Sequence, residues 1–263
     1  MVQTAARGRL SDAQIRQILP LIAASDSVEL KATVPAQDQR AAVTALGLDP
    51  LRGQTRQVFF FDTPGLDLFA GGLVVRARRS AGRADDTVVK LRPVEPSEVD
   101  PRLRALPGFG IEVDAMPEGF VCSASLKGSP PRRDVRTTLL EGRPLRKLFT
   151  KAQRVLFAQR APDGIDLDDL VVLGPIFVLK LRDVPKELGR KLVAELWLYD
   201  DGSRLLELSA KCAPGEALQM AAELRAFLTA RGVDLTAAQE TKTRHALALL
   251  ASGAPHDPEK EEA

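Results

Sequence analysis

Two periodicities divide the chain. Alternation of apolar with other residues, which sends positions i and i+2 to one face of a strand, runs through Ser27–Val34, Gln57–Asp62, Leu73–Arg79, Thr87–Arg92 and Gly110–Asp114. It returns in Val121–Lys127, Ile176–Val184, Lys191–Tyr199 and Arg204–Cys212. Turn chemistry punctuates these runs at Thr63-Pro64-Gly65, Gly71-Gly72 and Asp201-Gly202, the last a strong hairpin signal. A helical period follows Ser11, an N-cap residue type, with Ile15, Ile18, Leu19 and Ile22 on one stripe; Pro20 is expected to kink or end this helix. Pro35 to Leu48, a stretch around Leu145–Phe157, Glu216–Ala230 and Thr236–Leu250 read as further helices. Strands spread from residue 27 to 212 predict one α+β domain with a large, mostly antiparallel sheet, big enough to close into a barrel. Residues 1–24 read as an N-terminal extension with a helix, 25–250 as the domain with its C-terminal helices, and 251–263 as a disordered charged tail.

The polar positions inside the strands are not the mixture of a wet sheet face. Glu29 and Lys31 share a face, as do Arg76 and Arg78, Lys90 and Arg92, Glu112 and Asp114, and Lys180 and Arg182; Glu207, Ser209 and Lys211 form another row. Between them stand Leu30, Ala77, Leu91, Val113, Leu181, Leu208 and Ala210. An open antiparallel sheet would hold such rows in water. A closed one would gather them round a lumen, where cations converge on an anion and carboxylates hold a divalent metal. A triphosphate needs several cations to leave water, and Mg2+ takes one or two protein carboxylates with phosphate oxygens.

Composition narrows the partners. Lys and Arg number 37 against 35 Asp and Glu, a net charge of +2 that makes no case for nucleic acid or an anionic membrane. The cations are 26 Arg and 11 Lys, and Arg suits bidentate contact with phosphate. Aromatic residues are 5%, too few for base-stacking platforms. Cys122 and Cys212 form no metal or disulfide framework, and a reducing compartment is the default. No apolar run approaches a membrane span, and the N-terminal stretch carries Arg7, Arg9, Asp12 and Arg16 rather than a signal-peptide core. A soluble cytoplasmic protein is expected.

Glu29-Leu30-Lys31, Phe61-Asp62-Thr63-Pro64, Arg76-Ala77-Arg78, Lys90-Leu91-Arg92 and the late Glu207-Leu208-Ser209-Ala210-Lys211 follow one another in an order that resembles the CYTH domain. That superfamily of triphosphate tunnel metalloenzymes includes thiamine triphosphatases, inorganic triphosphatases and class IV adenylyl cyclases. The resemblance covers roughly residues 25–212. It implies an eight-stranded antiparallel β-barrel flanked by helices, whose lumen binds a triphosphate with Mg2+ or Mn2+. It implies phosphate contacts from Arg76, Arg78, Lys90, Arg92, Lys180, Arg182 and Lys211, orientation or leaving-group charge from Lys31, and metal ligation by Glu29 and Glu207. Glu112, Asp114 and Glu195 are further candidate acids. Two departures stand out. The opening Glu-x-Glu-x-Lys motif begins here with Ser27, and the closing Glu-x-Glu has Ser209 as its second member. The segment from Lys147 to Arg154 also reads as a helix rather than the usual basic strand.

Other residues offer less. His245 and His256 lie far from the strand motifs and lack the partners of a metal site or a serine–histidine triad. Asp166-Leu167-Asp168-Asp169 reads as a solvated acidic loop, and Gly71-Gly72 as a turn. Trp197 and Tyr199 read first as core, with the mouth of a base-binding site as the alternative. Lys242 and Arg244 read as solvated or, in a closed barrel, as plugging one end. The expected function is metal-dependent hydrolysis of inorganic, nucleoside or thiamine triphosphate. Alternatives are a polyphosphate- or nucleotide-binding module with weak or no catalysis, and adenylyl cyclisation. The expected partner is a triphosphate or polyphosphate, with no membrane, no specific nucleic acid and a homodimer left open.

Overall fold

A computed structural model describes residues 11–252 apart from 118, 131–133 and 240. The tail from 253 onward, with His256, and the first ten residues lie outside the described residues.

Nine strands form the sheet: β1 (Ser27–Val34), β2 (Gln54–Asp62), β3 (Leu73–Ser80), β4 (Asp86–Leu91), β5 (Phe109–Met116), β6 (Gly119–Gly128), β7 (Val171–Asp183), β8 (Leu192–Leu198) and β9 (Arg204–Cys212). They close in the order β1-β5-β6-β4-β3-β2-β7-β8-β9, with β9 returning to β1. The eight strands implied by the resemblance are one too few, and the sheet is not wholly antiparallel. A ring with an odd number of strands cannot alternate direction all the way round; the mismatch falls between β1 and β5, which run parallel. β7 begins earlier than alternation suggests. The strand passes through Gly174-Pro175, with a register shift against β2 between Val58 and Phe60.

The helices are α1 (Asp12–Ala23), α2 (Gln39–Ala45), α3 (Asp67–Ala70), α4 (Pro101–Arg104), α5 (Asp134–Glu141), α6 (Lys151–Ala158), α7 (Ala217–Thr229) and α8 (Lys242–Ser252). Ser11 caps α1 in a reciprocal pair with Gln14, and Pro20 sits inside the helix without ending it. Ile18 and Ile22 face the barrel; Ile15 and Leu19 lie largely exposed, so the buried stripe is narrower than the sequence suggests. α6 confirms that the segment after Lys147 is helical. Its fully buried Gln153 bonds the backbone oxygens of Thr87 and Leu126 and the Thr87 hydroxyl, which latches the helix to the barrel wall.

The barrel is inside-out relative to an ordinary sheet. Leu30, Ala32, Val113, Leu208 and Ala210 point outward into a core shared with α1 and α7, and Ala77, Val89, Leu91 and Leu126 into a second core shared with α5 and α6. The other face turns inward. At one end the lumen is filled by Val58, Phe60, Ile176, Val178, Trp197 and Leu205 packed against Ala246 and Leu247 of α8, so α8 blocks that end. Gly72, with φ +77, ends the α3 turn; a side chain there would strike the Arg92 carbonyl at 2.5 Å. Asp62 accepts backbone N–H bonds from Thr63, Leu68 and Phe69 at 2.8–3.0 Å, so the Phe-Asp-Thr-Pro segment serves the fold by fixing the turn into α3.

Candidate active site

The inward face encloses a cavity of about 1280 Å³, and cations outnumber carboxylates in its lining. Arg76 and Arg78 enter from β3, Lys90 and the adjoining Arg92 from β4, Lys180 from β7 and Lys211 from β9; Glu29 and Lys31 enter from β1, Glu112 from β5, Glu195 from β8 and Glu207 from β9. These predicted residues therefore meet in one space. Arg182 does not join them; it lies exposed near the end of β7. Arg56 and Lys127 line the cavity although the sequence assigned them no site role; Trp197 and Lys242, whose alternative readings are a site mouth and a barrel plug, line it too. Arg56 and Lys127 continue the inward parity of β2 and β6. No signal along the chain tied Lys242 to its partners on β8 and β9.

Asp114 is the hub. It has no exposed surface, and its carboxylate meets Lys31 at 2.7 Å, Lys90 at 3.4 Å and Arg92 at 3.5 Å. Burial would raise its pKa, but the three cations outweigh that and hold it well below the carboxylate range. Lys31 also pairs with Glu29 at 3.0 Å. Burial opposes the Lys31 charge, yet Asp114, Glu29 and Glu207 together keep its ammonium well above the ordinary lysine value.

The two serines at the departures from the family motif make specific contacts. Ser27 donates to Glu112 at 3.3 Å, and Ser209 donates to Glu29 at 3.1 Å. Lys211 also bonds Glu112. Glu29, Glu112 and Asp114 can each turn a carboxylate oxygen to within 4.8 Å of the others. An all-oxygen set of this kind fits Mg2+ or Mn2+. Of the three, Glu29 and Glu112 would be the freer to hold a metal, each paired with one lysine where three cations claim Asp114. Glu207, the other acid expected to hold metal, stands apart from this set. It faces Glu195 across β8 and β9, and both carboxylates grip the Lys242 ammonium.

The β3 and β4 wall is less completely neutralised. Arg78 pairs with Asp86 at 2.8 Å. Arg76 has no ion pair or side-chain hydrogen bond with any described residue, and its Nε is sealed from solvent. Burial, then the neighbouring Arg78, pushes its pKa down to about 10, which leaves it charged at neutral pH.

No family model and no curated protein matches the chain. Solved structures do. One is a candidate adenylyl cyclase from Hippeastrum described as having a dominant triphosphatase activity, 17% identical, with a TM-score of 0.59 over 86% of this chain and 95% of its own. Another is a candidate adenylate cyclase from Bacillus halodurans, 12% identical, with a TM-score of 0.57 over 84% of this chain and 98% of its own. The chain shares its closed-barrel fold with these two structures, in line with the resemblance read from the sequence. At these identities the likeness extends to the barrel and stops there. Among the described residues, no helix is long and apolar enough to cross a membrane.

Proposed function

We propose that this CYTH-type barrel binds a triphosphate in its lumen and hydrolyses a terminal phosphoanhydride with the help of a divalent metal. The observation that carries the reading is Arg76: a guanidinium inside a cation-rich tunnel, with no described partner, is a site for an anion that the chain itself does not supply. Arg78, Lys90 and Arg92 flank it and would share the phosphate oxygens. Glu29 and Glu112 would hold Mg2+ or Mn2+, which when bound polarises a phosphoryl oxygen and neutralises phosphate charge.

The protein groups act through charge and position. Lys31 Nζ, held protonated by Asp114 and Glu29, supplies fixed positive charge and is a poor proton donor. Burial works against the Glu29 charge, but Lys31 and Lys242 keep its pKa below the ordinary value, so it is a weak general base. Catalysis would therefore come from holding the substrate in line and out of bulk water. The blocked end at α8 supports a single direction of approach, with the rest of the substrate toward the open mouth. Ser27 and Ser209 favour a second reading, binding with little turnover, because each puts a hydroxyl where a further metal-holding acid would otherwise stand.

The test is release of phosphate from tripolyphosphate, ATP and thiamine triphosphate with Mg2+ or Mn2+. Metal-dependent release supports hydrolysis. Saturable binding without release supports the second reading, and cyclic AMP from ATP would replace both with cyclisation. Absence of tripolyphosphate binding would overturn the tunnel assignment.

A further inference from the structure

Glu195 and Glu207 lie directly opposite each other on β8 and β9, each less than a tenth exposed. Two buried carboxylates at that spacing repel, and one would be expected to take up a proton unless a cation sits between them. The cation present is part of the chain. Lys242, the first residue of α8, places its ammonium 2.5 Å from Glu195 and 2.7 Å from Glu207. Lys180 adds a contact to Glu195 at 2.6 Å. The Trp197 ring lies 5.6 Å from the same ammonium, so an aromatic face also favours positive charge at this point. One turn further along, Ala246 and Leu247 anchor α8 in the apolar blind end.

We propose that Lys242 is a resident counter-ion occupying a latent divalent-cation seat between Glu195 and Glu207, and that withdrawing its ammonium lets this pair bind a metal ion. Two carboxylates and a cation-favouring ring describe a cation seat whatever fills it, and here a side chain delivered by the plugging helix fills it. The metal-binding set therefore shifts to Glu29 and Glu112, and metal capacity is limited by the chain's own lysine. The inference does not depend on which triphosphate binds or on whether it is hydrolysed.

The experiment is Mn2+ titration of the full chain, without any phosphate compound, read by the electron paramagnetic resonance signal of free Mn2+. Wild type is expected to bind weakly. Lys242→Met keeps the stem against Trp197 and removes the charge; it is expected to gain one site per chain, tighter than any wild-type site by about tenfold. Adding Glu207→Gln to Lys242→Met should abolish that site. No gain in a folded Lys242→Met protein overturns the proposal. If that variant folds only when Mn2+ is present, the metal is taking the lysine's place, as proposed; if it fails to fold with or without Mn2+, Lys242 is a structural strut and the proposal fails. An independent check uses wild-type Lys242: Glu207→Gln should leave Mn2+ affinity within about twofold, and a large loss would show that Glu207 is already a ligand.

Discussion

Two arcs of the same barrel treat charge differently. Along β8, β9, β1 and β5, each inward carboxylate has a cation from within the chain: Glu195 has Lys180 and Lys242, Glu207 has Lys242, Glu29 has Lys31, Glu112 has Lys211, and Asp114 has Lys31, Lys90 and Arg92. Along β4, β3 and β2, cations exceed the acids available to them, and Arg76 is left over. Both arcs follow one rule, charged residues inward and apolar residues out. They differ in whether the ions are already satisfied. Satisfied pairs belong to the stability of the folded chain, whereas under the proposed function the surplus is what a bound anion would meet.

The sharpest break of that contrast is Asp114→Asn. Three cations would lose their shared carboxylate inside the lumen, and removing one member of a buried ionic cluster costs about 3–5 kcal/mol. A large fall in unfolding temperature is expected, partly recovered by tripolyphosphate because the freed cations then have another anion. A fall of a degree or less would show that water already solvates the hub.

Arg76→Ala tests the other arc and should give the opposite pattern. Triphosphate affinity should drop about 100-fold, in line with the loss of a desolvated charge-assisted contact, while the unfolding temperature stays level or rises. Arg78→Ala should be mixed, because Arg78 also pairs with Asp86. Calorimetric titration with tripolyphosphate and thermal melts on the same samples separate the two. Equal losses of stability in both variants would erase the distinction between surplus and satisfied cations.

That contrast marks how far the sequence could be read. Alternation located all nine strands, since a two-residue period records which side of each strand faces apolar neighbours. The Arg76, Lys90 and Glu112 rows were placed on shared charged faces for the same reason, and closure of the ring turns those faces into a lumen. Pairing was not legible. Nothing local links Asp114 to Lys31, or Lys242 to Glu207, because the closed ring and the plugging helix create those contacts across long stretches of chain. The parallel β1–β5 junction was hidden likewise, since strand direction is a property of the whole ring. Arg182 shows the reverse error: its spacing to Lys180 is right, but it lies near the end of the strand and leaves the tunnel lining.

Acid should weaken the satisfied arc first. Despite burial, the folded pKa values of Asp114, Glu195 and Glu29 lie below their ordinary values because of neighbouring cations. Over that range the unfolded chain binds more protons than the folded one, so stability rises with pH. Their contribution is complete above the ordinary carboxylate value, near pH 4, and is lost as pH falls through the folded values. Urea midpoints measured from pH 7 to pH 3 should therefore decline, and Asp114→Asn should flatten the decline. An identical slope in the variant would assign the acid sensitivity to Glu195 and Glu29.

The smallest expected effects on stability concern Ser27 and Ser209. Each donates a single hydrogen bond to an acid of the candidate metal set. Alanine at either position should cost no more than about 1.5 kcal/mol, the range of an ordinary intramolecular hydrogen bond. Glutamate at both is the informative change. It would place two more carboxylates beside Glu112 and Glu29, so the metal-free protein should melt slightly lower through like-charge repulsion. Mn2+ should then reverse that loss and bind more tightly than in wild type, because a third or fourth oxygen donor completes more of the octahedron. If the hydroxyls limit turnover, the double variant should also release phosphate from tripolyphosphate faster. Tighter Mn2+ binding without faster release would place the limit on the cationic arc, at the positioning of the phosphates. No change in Mn2+ affinity would remove Glu29 and Glu112 as the metal seat.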